Sequence, residues 1–459
     1  MTGFPRLVIP VWHASAVAWL NPRRLRAQAV VLALCLWGVC AVDFATPGLF
    51  DRAGNVKFQD FLPLYVSARM IAHGRALELY DQPVLAAEEF QIIGRQSAVL
   101  LPNLYGPQVA LLFVPLSRFS FPVAARIWAV LCLLIYCGCI YVVVKMCSSL
   151  TPYSTIVAIA AAAYPPLFHS FVRGQVSALV LACFIAALLA FRSHRDWLAG
   201  IVLGLLIFKP QFLVAIPLVL LLARSWIAFV SLAASASAQL VLTWAWFGSP
   251  VIRAYCDALW HVSRWIGSAE LNLAPIQMHS LRSFWSLLVP WPQAAFPLYL
   301  VSSIAVVSIA AATWKSSSPL ALRFAVLTLA AVLVNPHLFV YDLLVLAPAL
   351  FLVVDIAADA ACPERSRRVR PASGASGPRT NASGATFLNN MPRRSSAALL
   401  LLSYLAFIMP LLGPVSRWTH IQLSVPIFAA LLWTLWRQSA EVTAPNGGHS
   451  LASPDSRVV

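Results

Sequence analysis

The chain has 459 residues, of which 60% are hydrophobic and 10% are charged, and its mean hydropathy is +0.80. Soluble domains usually carry about 25% charged residues, so this composition excludes an ordinary soluble protein and predicts a membrane protein. The formal net charge of +16 does not indicate a nucleic-acid partner, because the basic residues stand between apolar runs and lack interleaved aromatic residues.

Twelve apolar runs predict an all-α polytopic membrane protein. A helix needs about 20 residues to cross a hydrocarbon core of roughly 30 Å, so the shorter runs must extend into flanking polar sequence. The runs are residues 27–44, 123–144, 153–171, 176–191, 198–208, 212–223, 227–247, 294–313, 321–334, 338–354, 397–412 and 421–436. The sequence therefore predicts twelve transmembrane helices.

Clusters of arginine indicate which ends of the runs face the cytoplasm. Residues 1–26 contain four arginines and no acid, and residues 364–394 contain seven arginines and one acid. With both segments inside, residues 43–104 and 248–292 become outer loops, and the first of these includes a predicted interfacial helix. Spans can be counted forward from the amino terminus or backward from the predicted cytoplasmic cluster of Arg192 and Arg195. The two counts give the same orientation only if residues 105–116 form a re-entrant or broken helix rather than a complete crossing.

Composition also predicts the division of the chain into parts. Residues 1–354 form the transmembrane catalytic core with its two outer loops, and residues 397–437 form a carboxyl-terminal helix pair. Residues 355–396 are rich in Arg, Ser, Gly, Pro and Ala, which predicts a disordered basic cytoplasmic insert without a catalytic role. Residues 438–459 form a similar disordered cytoplasmic tail.

The sequence contains no recognisable metal or cofactor motif. Its nine cysteines lie mostly within apolar runs and show no zinc-binding spacing. Walker, GxGxxG, HExxH and nucleophile-elbow motifs are also absent from the sequence. We therefore predict no metal and no cofactor.

Asp60 is the first candidate for chemistry. It follows the first apolar run, and an acid near the bilayer is costly to place, so its default explanation is functional. It could act as a general base for an attacking hydroxyl. Alternatively it caps a helix on which Leu64, Ala68 and Ile71 share an apolar face, and both interpretations can hold together.

Cations and hydrogen-bonding groups recur on the predicted outer side. Tyr65 and Arg69 follow Asp60 and could bind a phosphate, or anchor the segment at lipid headgroups. Arg173 and Gln175 flank Gly174 between two runs, where they could bind a phosphate or a sugar hydroxyl, or simply form a capped turn with an Arg whose head reaches the interface.

Two further segments interrupt apolar sequence. Lys209 precedes Pro210 within a long apolar stretch, where the ammonium needs an anion or water, so a phosphate ligand or an interfacial position is predicted. His337 opens a later run that also holds Tyr341 and Asp342, and Asp342 is predicted to bind substrate. On a continuous helix His337 shares a face with Tyr341 but not with Asp342, and it could orient a phosphate, share the acceptor's proton or be structural.

In this order the residues resemble glycosyltransferase family 87, a group of membrane enzymes with the GT-C architecture. The resemblance covers roughly residues 42 to 348, with Tyr105-Gly106-Pro107 standing where the family usually has Tyr-Pro-Pro. The matching landmarks are Asp60-Phe61 with Tyr65 and Gly74, Leu79-Tyr80-Asp81, Pro107 to Pro115, Gly174-Gln175, Lys209-Pro210 and Asn335-Pro336-His337 with Asp342.

The resemblance implies transfer of a hexose, with mannose the first expectation, from a polyprenyl-phosphate sugar to a lipid or glycan acceptor on the extracytoplasmic face of a bacterial inner or plasma membrane. It also implies an inverting single displacement without a nucleotide-sugar or a required metal. Asp60 matches the family's acidic base, and His337 matches a polar position that opens the late span. Lys209, Arg173 and Arg69 are then expected to neutralise the phosphate.

Two other classes of function are weighed against this one. A secondary transporter or a lipid-linked-sugar flippase would predict inverted repeats and polar residues at mid-membrane, whereas the polar groups of this sequence gather on one predicted side. A non-catalytic scaffold of envelope assembly would be compatible with the same fold.

Overall fold

A computed structural model describes residues 20–94, 103–265, 277–361 and 393–443. Helices make up most of these residues, and their only β-type pairings are two isolated bridges, Phe50 with Val56 and Met278 with Phe339. The α-helices are α1 (Pro22–Ala45), α2 (Leu62–Ala72), α3 (Gln82–Ile93), α4 (Pro107–Phe113), α5 (Phe121–Met146), α6 (Ser154–Ala162), α7 (Pro165–Arg173), α8 (Ser177–Arg192), α9 (Asp196–Gly204), α10 (Ile216–Leu222), α11 (Trp226–Trp265), α12 (Leu281–Leu288), α13 (Pro292–Lys315), α14 (Leu320–Leu333), α15 (Leu346–Ala361), α16 (Arg393–Ile408), α17 (Gly413–Thr419) and α18 (Ser424–Thr443). Short 3₁₀ helices join several of them, at Ala76–Glu78, Leu116–Arg118, Thr151–Tyr153, Leu205–Phe208, Pro210–Leu213, Val340–Val345 and Met409–Leu412.

Six helical segments within the described residues are long and apolar enough to cross a membrane, or seven if α6 and α7, which meet at an angle of 44°, count as one broken span. The six are Pro22–Ala45, Phe121–Met146, Trp226–His261, Pro292–Lys315, Val340–Ala360 and Ser395–Thr419. The all-helical polytopic class is therefore confirmed, but the predicted number of twelve is not. Several apolar runs form shorter helices: the 14 residues of α14 rise only about 21 Å.

The segment after the first span differs from its prediction in one respect. Helix α2 was expected to be amphipathic, yet every residue from Leu62 to Ala68 is buried. Neighbouring segments therefore cover all faces of this part of the helix, and its position at the membrane interface stays a prediction. The segment predicted to re-enter contains only the seven-residue α4, which is about 10 Å long and too short to cross a bilayer alone.

The predicted basic insert begins too early. Helix α15 continues through residues 355–361, and the carboxylate of Asp355 accepts hydrogen bonds from the backbone N–H groups of Ser149 (2.8 Å) and Leu150 (3.2 Å). These bonds satisfy two N–H groups of another segment and give the first residues of the predicted insert a place in the fold. Residues 362–392 of the insert and 444–459 of the tail lie outside the described residues, while the first part of the tail is helical to Thr443.

Close helix packing surrounds the region of the candidate residues. Helix α9 packs on α11 through Gly200 and Gly204, where a Cβ on Gly204 would stand 2.5 Å from the backbone oxygen of Leu232. Helix α7 packs on the 3₁₀ helix Val340–Val345, which also contacts α8. These contacts bring the ends of α7 and α8 against the start of the late span.

Candidate active site

A short loop holds Asp60 against the carboxyl end of α7. The Phe58 N–H donates to the Val172 carbonyl (3.2 Å), and the Asp60 N–H donates to the Arg173 carbonyl (3.0 Å). Phe58 itself has a positive φ of 57°, an uncommon conformation for a bulky residue. Two backbone bonds therefore fix the position of Asp60 relative to Arg173.

Gly174 allows this close approach. It ends α7 with φ of +71°, and a Cβ at this position would lie 2.9 Å from the Cβ of Phe61. Glycine accepts the left-handed conformation without penalty and leaves the space empty. The Trp128 indole N–H donates to the Gly174 carbonyl (3.0 Å) and fixes the turn from the side of α5.

The carboxylate of Asp60 is largely buried and is hydrogen-bonded across the turn. Its side chain is 11% exposed, its Oδ2 accepts from Gln175 Nε2 at 2.6 Å, and its Oδ1 lies 4.0 Å from Arg173 Nη1. Burial raises the pKa of Asp60 above its ordinary value, although the Arg173 charge and the Gln175 hydrogen bond act in the opposite direction. A carboxylate with a raised pKa, partly accessible beside a cation, has the properties of a general base.

The alternative role of Asp60 as a helix cap is wrong. The residue at the N-cap of α2 is Phe61, and no side chain caps that end. The Asp60 carboxylate instead turns toward Gln175. Asp81, the weaker acidic candidate in the same outer segment, does cap a helix, since its Oδ1 accepts from the Val84 N–H at the start of α3 (3.3 Å).

Lys209 and Asp342 form a buried ion pair beside this turn. Their side chains are 4% and 2% exposed, and Ser177 Oγ donates to Asp342 Oδ1 at 3.0 Å. The ammonium also lies 5.3 Å from the centre of the Tyr341 ring. The anion that Lys209 requires is thus a carboxylate of the chain itself, so the structure gives Lys209 a partner other than a substrate phosphate.

His337 lies at the edge of the Lys209–Asp342 pair. Residues 335–339 are not helical, and the late span begins at Val340, so the predicted helix face shared by His337 and Tyr341 is wrong. The Asn335 side chain accepts the His337 N–H (2.9 Å), which closes a turn before the span. The imidazole is exposed and packs edge-on against Phe339, with ring centres 4.8 Å apart.

Tyr65 and Arg69 project to another part of the fold. The Tyr65 hydroxyl donates to the Phe119 carbonyl (2.6 Å), and Arg69 interacts with this same hydroxyl. The cations whose charge acts on Asp60 are Arg173 and Lys209. The structure therefore brings Arg173, Gln175, Lys209 and Asp342 together around Asp60, and leaves Arg69 with Tyr65.

Sequence reasoning did not mention Ser177, and it named Tyr105 and Tyr341 without giving either a role at the site. The Tyr105 hydroxyl donates to Gln175 Oε1 (3.2 Å), and Ser177 links Lys209 to Asp342. The local signals were weak, since Ser177 is merely two residues beyond Gln175 and Tyr105 merely precedes a Gly-Pro pair. Among the described residues, no group of three or more His, Cys, Asp or Glu side chains is arranged to hold a metal ion.

Comparison with known proteins gives one match. The sequence model of glycosyltransferase family 87 matches residues 103–336, which is half of the chain. The matched region includes Tyr105, Arg173, Gln175 and Lys209, whereas Asp60 lies before it. No curated protein and no solved structure matches the chain significantly.

Proposed function

The chain belongs to glycosyltransferase family 87, and from this premise we propose that it moves a hexose, with mannose as the first candidate, from a polyprenyl-phosphate sugar to a lipid or glycan acceptor. The reaction takes place at the extracytoplasmic face of a cell membrane. One observation carries the assignment of the site: the Asp60 carboxylate, 11% exposed, stands beside Arg173 and accepts a hydrogen bond from Gln175.

The proposed reaction is a single displacement at the anomeric carbon. The acceptor hydroxyl oxygen attacks this carbon while its bond to the phosphate oxygen breaks, and the sugar is inverted. Asp60 takes the hydroxyl proton, and the electron pair of the broken bond leaves with the lipid phosphate. A phosphate is a good leaving group, so the site needs mainly to orient both substrates and to stabilise the negative charge.

We assign charge stabilisation to Arg173. Its guanidinium is 35% exposed and presents several N–H donors in a fixed plane that suits phosphate oxygens. Lys209 is nearly fully buried and already paired with Asp342, so its proposed contribution is a positive field at Asp60 and not direct phosphate binding. His337, exposed at the edge of the site, remains a candidate for contact with the phosphate or the acceptor.

Reconstituted protein tests this proposal. Proteoliposomes are given radiolabelled polyprenyl-phosphate-mannose, or another polyprenyl-phosphate hexose, with a membrane-lipid extract as the source of acceptor, and transfer is compared between wild type and Asp60→Asn. We expect transfer by wild type and a loss of at least about 100-fold in the variant, the lower range for removing a general base.

Asp43→Asn is the matched control, because Asp43 is an acid near the end of α1 that pairs with the exposed Arg52, and neither residue is among the groups that act on Asp60. It is expected to keep full transfer. Transfer that survives Asp60→Asn would refute the base assignment, and no transfer by wild type with any hexose donor would refute the proposed donor class.

A further inference from the structure

Three side chains form a hydrogen-bonded series that ends at the proposed base. The Tyr105 hydroxyl donates to Gln175 Oε1 (3.2 Å), and Gln175 Nε2 donates to Asp60 Oδ2 (2.6 Å). The three residues come from separate parts of the chain, with 115 positions between Asp60 and Gln175 and 70 between Tyr105 and Gln175. Nothing in their local sequence requires them to meet.

The backbones of Tyr105 and Gln175 are each held by hydrogen bonds that do not involve Asp60. The Tyr105 carbonyl accepts from the Tyr80 hydroxyl (2.8 Å), and the Tyr105 N–H donates to Asn103 Oδ1 (3.2 Å). The Gln175 N–H donates to the Ser170 carbonyl (3.0 Å), and the Gln175 carbonyl accepts from the Cys132 thiol (3.6 Å). The fold thus holds both residues in place without any contribution from Asp60.

The chemistry of the amide gives this series a direction. A primary amide donates through its nitrogen and accepts through its oxygen, and an ionised carboxylate only accepts. A hydroxyl that donates to Gln175 Oε1 leaves the NH₂ group facing Asp60, which stabilises the charged carboxylate. If the amide turned over, its oxygen would face Asp60 and favour the protonated acid.

We propose that Tyr105 is a positioning residue that acts through Gln175 to keep Asp60 charged and correctly oriented. Its relevance to catalysis rests on the proposed function, in which Asp60 is the base. The structural part of the proposal, that Tyr105 sets the protonation of Asp60, stands independently of any transfer reaction.

Four other titratable or charged groups influence Asp60 or lie within electrostatic range of it. Arg173 lies at the end of α7, Lys209 between two 3₁₀ helices, Tyr105 before α4, and Tyr341 in the 3₁₀ helix Val340–Val345. Replacing Tyr105 by Phe leaves both cations and Tyr341 in place. A change in Asp60 titration in this variant therefore reports the lost hydroxyl.

Labelling with dicyclohexylcarbodiimide, an apolar reagent that reacts with protonated carboxyl groups, tests the proposal without an activity assay. Full-length protein in detergent is labelled across a pH series, and modification of Asp60 is quantified by peptide mass spectrometry. We expect Gln175→Leu to move the labelling midpoint of Asp60 to higher pH by about one unit, the effect of one hydrogen bond to a carboxylate. Tyr105→Phe should move it in the same direction by up to that amount.

Two controls make the outcome specific. Tyr136→Phe removes another buried hydroxyl, which donates to the Ala161 carbonyl (2.8 Å) away from Asp60, and should leave the midpoint unchanged. Glu89, a buried acid in α3 whose pKa is raised to about 8 by burial, serves as an internal reference within each variant. Thermal unfolding of each variant confirms that the fold is retained.

Combining the substitutions decides whether Tyr105 acts through Gln175. In a Gln175→Leu background, Tyr105→Phe should add no further shift. An unmoved midpoint in Tyr105→Phe, or a shift that persists in the Gln175→Leu background, would overturn the proposal.

Where wild type transfers sugar, Tyr105→Phe should move the acid limb of kcat/KM to higher pH by the same amount and leave the donor KM unchanged. Failure of transfer alone would count against the proposed function and leave the labelling result to decide this inference.

Discussion

Asp60 shows how one side chain can carry opposing influences on its charge. Burial raises its pKa, and the neighbouring Arg173 and Gln175 lower it, with a net effect upward. A folded-state pKa above the unfolded value means that this group favours folding at low pH, and that the contribution is lost as pH rises through the folded pKa. Keeping Asp60 charged at neutral pH therefore opposes folding and serves the proposed reaction.

The first prediction concerns the pH dependence of that reaction. A general base acts only when deprotonated, so transfer should fall as pH is lowered through the raised pKa of Asp60. Arg173→Gln removes the cation that lowers this pKa, and we expect the acid limb of kcat/KM to move to higher pH. The measurement is transfer at subsaturating donor across a pH series, and a limb that moves to lower pH would contradict the electrostatic assignment.

The second prediction concerns the buried pair of Lys209 and Asp342. Removing one partner leaves an unpaired buried charge, so Lys209→Met should destabilise the fold by about 3–5 kcal/mol. Replacing both residues, as Lys209→Met with Asp342→Leu, should restore most of that stability, because burying two apolar side chains carries no charge penalty. Thermal unfolding in detergent compares the three proteins.

The double variant also separates two roles for Lys209. In the first role, Lys209 is needed only as the partner of Asp342 and as a positive charge near Asp60. In that case the stable double variant should keep nearly the same donor KM, because Lys209 does not contact the donor, and should lose part of kcat. A large rise in donor KM in a stable double variant would restore the phosphate-binding role that the sequence predicts.

At the scale of elements, close helix contact depends on two glycines. Gly200 and Gly204 are spaced four residues apart on α9 and face α11, and a Cβ on Gly204 would also come within 2.7 Å of the Ser235 Cβ. Small residues at this spacing let two helix backbones approach closely in membranes. The contact places α9, and with it the 3₁₀ segment that leads to Lys209.

The third prediction tests that contact. Gly204→Ala should force α9 and α11 apart and lower the free energy of unfolding by about 1–3 kcal/mol, the usual effect of overpacking. Gly138→Ala on α5 is the matched control, because a Cβ there meets no atom within 4 Å. Thermal unfolding should show a lower Tm for the first variant and an equal or higher Tm for the second, since Ala favours a helix over Gly.

The helices and their contacts show how much of the fold and of the candidate site could be predicted from the sequence. Apolar runs predict helices because hydropathy is a local property, and each predicted run overlaps at least one helix. The ends of the helices are predicted less well, since they depend on breaks such as Pro210 and on contacts that hydropathy does not report. The burial of α2 was not predictable, because it depends on neighbours distant in sequence. For the same reason the sequence identified Asp60, Gln175 and Lys209 as polar groups needing partners, but could not pair Asp60 with Gln175 or Lys209 with Asp342.

At the scale of the whole molecule, the sequence predicts that the candidate residues lie on one side of the membrane. The positive-inside rule predicts that this is the extracytoplasmic side, because the arginine-rich segments lie at the opposite ends of the spans. Donor and acceptor would then meet outside the cytoplasm, where nucleotide-sugars are not supplied.

The fourth prediction tests this sidedness. In a Cys256→Ser background, which removes an exposed cysteine, a membrane-impermeant maleimide should label Arg52→Cys in intact cells. Ser193→Cys, which is also exposed but lies beside Arg192, should be labelled only after the membrane is permeabilised. Labelling of Ser193→Cys in intact cells, with no labelling of Arg52→Cys, would reverse the proposed orientation.

The pairing of Lys209 with Asp342 also has a consequence for biogenesis. The two residues are 133 positions apart, and at about 5–20 residues per second the ribosome needs on the order of ten seconds to synthesise the interval. During that time the nascent chain holds an ammonium group whose counter-ion has not yet been made. The ion pair can therefore form only after the late span has been synthesised, and a chain arrested before Asp342 would hold Lys209 without its carboxylate partner.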